Sequence, residues 1–175
     1  VGTKRGASRY DKIADRWDRY TRGTGLPNED VVAVVVDGYD VWAGTGGGLG
    51  KFPRMSDDSN AWVTYTSGIE IMPMVVSEEY AKSLVSDEIW SMAVDRKYVW
   101  IGTRIGVSRY DKGRDTWMTF TQEDGLASDA VGSIAVTDGH IWFGSDNGVS
   151  VYNKDSHDWN ILTTRDGLSS DNVTC

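Results

Sequence analysis

The sequence predicts an all-β fold: a β-propeller of four-stranded antiparallel blades, present as a partial propeller of about four repeats. Two observations carry the prediction. The first is an internal repeat in strict register. The stretch Val99-Trp100-Ile101-Gly102-Thr103-Arg104-Ile105-Gly106-Val107-Ser108-Arg109-Tyr110 recurs at 142–152 and 42–52, and residues 1–10 are the same unit without its Trp. The landmark glycines Gly2, Gly44, Gly102 and Gly144 are 42, 58 and 42 residues apart, and a period near 42 matches one blade, about 40–45 residues. The second observation is the punctuation. Every copy reads Gly-(Thr/Ser)-x-x-Gly, with an aromatic (Tyr10, Phe52, Tyr110, Tyr152) four residues after the second Gly.

Each repeat divides into four short strands. Strand a (31–36, 89–94, 131–136) is a continuous apolar run, expected to be innermost and buried on both faces. Strand b (40–44, 98–102, 140–144) alternates Trp with small residues, as where sheets pack face to face. Strand c (7–10, 48–52, 106–110, 148–152) ends on the aromatic. Strand d (17–21, 61–66, 116–121, 158–163) carries a second Trp, is more polar and should be outermost. Asp37-Gly38 and Asp138-Gly139 between a and b are hairpin signals whose residues tolerate positive φ. Gly6, Gly48, Gly106 and Gly148 close the b–c turns, where positive φ is again expected. After strand d, Gly25-Leu26, Gly125-Leu126 and Gly167-Leu168 recur, each with a Val five residues beyond the Leu.

The chain thus reads as a single propeller segment, 1–175. Its repeats fall at approximately 1–30 (an incomplete blade), 31–88, 89–130 and 131–170, with 171–175 starting the next. The second repeat is irregular. Its c–d connection is longer, Gly68-Ile69 stands where Gly-Leu is expected, and an insertion follows at 69–87. That insertion is apolar through Val76; then Ser77, Glu78 and Glu79 read as the start of one short helix running to Val85. The ends fall inside repeats, so the chain is expected to be part of a larger one. The alternative is a closed four-bladed ring with 171–175 pairing beside 1–3.

Composition narrows the partners. The net charge of −8 argues against nucleic acid and against direct contact with an anionic membrane, since phosphate binding rests on Lys and Arg. Residues 1–23 are a local exception, with seven Lys/Arg against three acids, read as solvated loops or as an anion-binding patch. No run has the length and apolarity of a membrane helix. A single cysteine, Cys175, excludes an internal disulfide. His140 and His157 join no triad spacing, and no cluster has metal-ligand spacing, so neither a cofactor nor catalysis is expected.

The pattern Trp-(Ile/Phe/Ala)-Gly-(Thr/Ser)-x-x-Gly-(Val/Leu)-x-x-(Tyr/Phe), followed by Asp-Gly-Leu and x-Asp-x-Val, resembles the two-component regulator propeller repeat. Its best copies are 99–131 and 141–173. The resemblance implies an extracytoplasmic location, periplasmic or at the cell surface, and a role in ligand sensing, with glycans among the implied ligands. The irregular second repeat departs from the pattern.

Stacked blades place the d–a and b–c loops on one face of the molecule and the a–b and c–d loops on the other. Function concentrates on loops held by a rigid scaffold. The candidate ligand residues are therefore Glu78, Glu79 and Tyr80 of the insertion, Arg104 with Asp146 and Asn147 on neighbouring b–c turns, and Trp90. Trp90 is the one Trp outside the strand-b and strand-d series. Arg104 is expected to pair Glu78, Glu79 or Glu88 or, alternatively, a carboxylate of a ligand or partner. The expected partner on this face is a small molecule, a glycan or another protein chain. Three roles stay open: a sensing or recognition module, a structural segment of a surface assembly, and a fragment of a propeller lyase or hydrolase.

Overall fold

A computed structural model of the chain describes residues 1–56, 58, 61–68 and 83–174. They form four antiparallel sheets in chain order. Blade 1 has three strands: β1 (Gly2–Thr3), β2 (Gly6–Asp11) and β3 (Arg16–Tyr20). Blade 2 is β4 (Val31–Asp37), β5 (Asp40–Thr45), β6 (Gly48–Pro53) and β7 (Val63–Tyr65). Blade 3 is β8 (Ile89–Val94), β9 (Tyr98–Thr103), β10 (Gly106–Asp111) and β11 (Thr116–Phe120). Blade 4 is β12 (Val131–Val136), β13 (His140–Ser145), β14 (Gly148–Asn153) and β15 (Trp159–Leu162). Within each sheet, neighbours in space are neighbours in sequence, and strands β1, β4, β8 and β12 place successive blades side by side. This is a propeller arc of about four blades. Three short 3-10 turns are the helical elements among the described residues. Blade 1 holds no strand a, and β1 pairs only with β2, so the closed-ring alternative is not the arrangement found among these residues.

The core lies between blades. Ala7, Tyr20, Leu26, Val31, Ala43 and Phe52 fill the space between blades 1 and 2. Trp42, Leu49, Leu84, Ile89, Val99, Ile101 and Tyr110 fill that between blades 2 and 3. Trp100, Val107, Phe120, Leu126, Val131, Ile141, Phe143 and Tyr152 fill the third. Glycine in strand b makes the close approach possible. A Cβ on Gly44 would meet Ile89 and Met92 of the next blade, one on Gly102 would meet Val131, and one on Gly144 would meet Val173.

Strand b, and not strand a, is the most buried. All of β9 after Tyr98 is buried, whereas β4 leaves Val32 and Val36 exposed. Strand a is a sheet edge with a partner on one side only; strand b is sandwiched within its sheet and between blades. Each strand a also carries a β-bulge at its second residue, at Val32, Trp90 and Gly132, which bends the strand and adds twist.

The repeat's polar landmarks are hydrogen-bonding devices. The Thr45, Thr103 and Ser145 hydroxyls donate to the Gly48, Gly106 and Gly148 carbonyls and accept the backbone N–H two residues on. Gly6, Gly48, Gly106 and Gly148 all have φ between 111° and 131°, as expected. Their N–H groups donate to the carbonyls of Glu29, Asp87, Asp129 and Asp171 in the linker to the next blade. The Asp129 and Asp171 carboxylates accept from the 3-10 turns at Gln122 and Thr164, and Asp87 accepts from Ser67 N–H. Of the two a–b glycines, Gly38 takes positive φ and Gly139 does not. The latter turn is closed instead by Thr137, whose N–H and hydroxyl both bond the His140 carbonyl.

The linker of repeat 2 corrects the expected insertion boundary. Leu84 is buried like Leu26 and Leu126, and Val85 N–H donates to the buried Ser108 hydroxyl as Ala127 N–H does to Ser150. Leu84-Val85-Ser86-Asp87-Glu88-Ile89 is thus the regular linker, in the place assigned to Ile69 from sequence, and the insertion ends before Ser83. Ser83, Leu84 and Val85 are not helical. The rest of the expected helix, with Glu78, Glu79 and Tyr80, lies outside the described residues, as does Cys175.

Candidate functional site

The bonds from b–c glycines to d–a linkers put these two loop sets on one face. The other face is tied by a–b to c–d bonds: Arg54 N–H to the Tyr39 carbonyl, Lys112 to Lys97, and Lys154 to Gly139. Its side chains bridge blades as well. Lys112 Nζ lies 2.6 Å from Asp37 of blade 2, and Lys154 Nζ lies 3.7 Å from Asp95 of blade 3.

On the insertion face, Arg104, Asp146 and Asn147 are exposed at the tips of adjacent b–c turns. Arg104 forms no ion pair among the described residues. Glu88, one of its expected partners, instead accepts a hydrogen bond from Trp90 Nε1 at 3.3 Å. Trp90 is 36% exposed, on the bulge at the end of strand a nearest the insertion. The structure therefore brings Arg104, Asp146, Asn147 and Trp90 to one face.

The opposite face holds a cleft of about 330 Å³ between blades 3 and 4, which no sequence signal marked. Asp95, Arg96 and Lys97 of one a–b turn line it with Tyr98, Arg109, Asp138, Tyr152, Lys154 and His157. Burial pushes the Asp95 carboxyl up, but the Tyr98 and Lys97 backbone N–H groups, the Trp100 indole and Lys154 together outweigh it and hold it below the ordinary range. The Arg109 guanidinium stacks over Tyr98, 4.3 Å from its centroid. Arg96 and Lys97 also line a second, shallower hollow with Lys112 and Gly113.

Both histidines sit on this second face. His157, at φ 64°, bonds the Tyr152 hydroxyl through Nδ1 at 2.7 Å. It stands where Asp115 accepts from Tyr110 and Asp15 from Tyr10. Burial first, and then the Asp115 bond, push the Tyr110 hydroxyl up. The second Trp series packs on these rings, with Trp17, Trp117 and Trp159 each within 5.0 Å of its Tyr. In the basic N-terminal stretch Arg9 and Arg16 both face Asp18, at 2.8 and 3.6 Å.

No family model and no curated protein matches the chain. Among the described residues, no helix is long and apolar enough to cross a membrane. Several solved structures match over nearly the whole chain. The extracellular domain of BT3049 from B. thetaiotaomicron, described as a hybrid two component system, superposes with a TM-score of 0.74 at 15% identity, over 99% of this chain and 24% of that one. The extracellular domain of BT4673 from the same organism, described as a one component system, gives 0.72 at 20%, over 99% and 22%. PorZ, a surface component of the type-IX secretion system of Porphyromonas gingivalis, gives 0.67 at 16%, over 99% and 27%. The chain thus spans about a quarter of the length of the chains it matches, and what it shares with them is the β-propeller fold.

Proposed function

We propose that the chain is a non-catalytic recognition module of a larger extracytoplasmic sensor or surface protein, built from two-component regulator propeller repeats. It engages a small molecule, a glycan or a partner chain through the face that bears the insertion. The observation that carries this reading is the exposed Arg104, without an ion pair among the described residues, on the same face as Asp146 and Asn147 and on a turn whose closing glycine is pinned by a backbone bond to the linker that follows. A guanidinium held on a rigid turn is suited to bidentate capture of a carboxylate. The extracellular placement of the BT3049 and BT4673 domains and the surface placement of PorZ support the location.

The test is binding of the purified chain to an array of soluble neutral and acidic glycans, with Arg104→Ala and a deletion of residues 70–82 alongside. Wild type should bind a defined subset, and both variants should lose it with unchanged melting temperature. Equal binding by all three proteins would remove the insertion face from the function. Binding to nothing on the array would shift the reading to a partner chain, which pull-down with the same variants then addresses.

A further inference from the structure

The repeat provides an internal control for the cleft between blades 3 and 4. Four residues share one position of strand c: Arg9, Lys51, Arg109 and Val151. Arg9 lies directly across from Asp18 on strand d and bonds it at 2.8 Å. Lys51 reaches Asp40 at 3.1 Å. Arg109 lies across from Met118; its Nη2 is 3.2 Å from the Met118 sulfur, and no carboxylate among the described residues pairs with it. The acid that neutralises this position in blade 1 is therefore replaced by a thioether in blade 3, and the guanidinium points its charge at a cleft.

The rest of the lining agrees. Arg96 and Lys97 are exposed, and the nearest carboxylate to Lys97, Asp111, is 3.9 Å away. The corresponding a–b turns carry Gly38-Tyr39 in blade 2 and Asp138-Gly139 in blade 4, so this pair of cations belongs to blade 3 alone among the three a–b turns. Of the two lining acids, Asp95 is already committed to the N–H groups of Lys97 and Tyr98, the Trp100 indole and Lys154. Asp138 sits exposed in its own turn. A chain of net charge −8 thus gathers Arg96, Lys97, Arg109 and Lys154 around one concavity of small-ligand size.

We propose that this cleft binds a small molecule through an oxyanion, carboxylate, sulfate or phosphate, with Arg109 as its anchor and Lys97 and Arg96 adding charge. The site is separate from the insertion face and does not depend on the reading above. An arginine resting on aromatic rings keeps its in-plane N–H fork available, and that fork matches planar oxyanions.

The experiment is an amide and indole NMR titration of the 175-residue chain with sodium acetate, sodium sulfate and sodium phosphate, at ionic strength fixed with sodium chloride. Saturable shifts confined to residues 95–98, Arg109 and the Trp100 indole are expected with at least one anion, and the anion that saturates first identifies the group. Arg109→Gln should weaken that binding tenfold or more. Met118→Asp recreates the Arg9–Asp18 pair across the same register, so it should weaken binding as much while leaving the remaining spectrum folded. Arg9→Gln should leave binding unchanged. Non-saturating shifts spread over the surface lysines, or wild-type binding in Met118→Asp, would overturn the proposal.

Discussion

At Gly102 an added Cβ would run into the Ser91 hydroxyl oxygen and lie 2.8 Å from the Val131 carbonyl oxygen of the next blade. The second neighbour is backbone and cannot rotate away. Gly102→Val should therefore overpack the interface and lower stability by about 1–3 kcal/mol, read as a fall in melting temperature; an unchanged melting temperature would contradict the assignment. Asp95 is the other informative residue, because its carboxylate ties an a–b turn to a core Trp and to Lys154 of the next blade. Its folded-state pKa is depressed, so its ionised form contributes stability that is present above the ordinary value of about 3.9. That contribution is lost as pH falls through the lower folded value. Asp95→Asn should cost about 1–3 kcal/mol near neutral pH, with the gap to wild type narrowing below about pH 4. Urea midpoints at pH 7 and pH 3 measure it, and an equal gap at both would show that the charge is not what matters.

The elements differ in how legible they were. Strand positions could be read closely because positive-φ glycines and strand-b tryptophans fix both ends of each hairpin. Strand a was misjudged as doubly buried. A run such as Val31 to Val36 looks the same whether its open side meets protein or solvent, and only the blade's position in the arc decides that. The linker of repeat 2 was misplaced because Gly68-Ile69 imitates Gly-Leu. The true signal, Leu84-x-Ser86-Asp87-x-Ile89, lay beyond the insertion and matches Leu126-x-Ser128-Asp129-x-Val131 residue for residue or conservatively. That Arg104, Asp146 and Asn147 stand exposed on b–c turns was legible from the spacing alone. The cleft was not, since the replacement of a carboxylate by a thioether across from Arg109 appears only when the Arg109–Met118 register is set against Arg9–Asp18. The linker assignment makes a sharp contrast between two deletions. Removing 70–82 joins Ile69 to Ser83 and restores the regular spacing from strand d to Leu84, so the fold should survive. Removing 70–87 also takes out Leu84, buried in the interface of blades 2 and 3, together with Asp87. The loss of one such Leu alone costs about 2–5 kcal/mol. Thermal unfolding and near-ultraviolet circular dichroism should show a cooperative transition for the shorter deletion and a lost or much lower one for the longer; similar behaviour of the two would refute the linker assignment.

Across the whole molecule, each blade interlocks with the next by the same three devices: a strand-b glycine that admits the neighbouring strand a, a linker Leu in the interface, and a b–c turn N–H bonded to the linker carbonyl. Repeat arrays built from such nearest-neighbour terms are as stable as their interfaces make them. The rigidity that would make either face a recognition surface depends on these locks. Their direct readout is native-state hydrogen exchange at Gly6, Gly48 and Gly106, whose N–H groups cross to Glu29, Asp87 and Asp129 at 2.8 Å. If the turns are locked to the following blade, these three amides should exchange only through the opening that also exposes strand-b amides such as Trp100 and Ile101, with matching protection free energies. Exchange of the glycine amides orders of magnitude faster than strand b, as for ordinary exposed turns, would contradict the account.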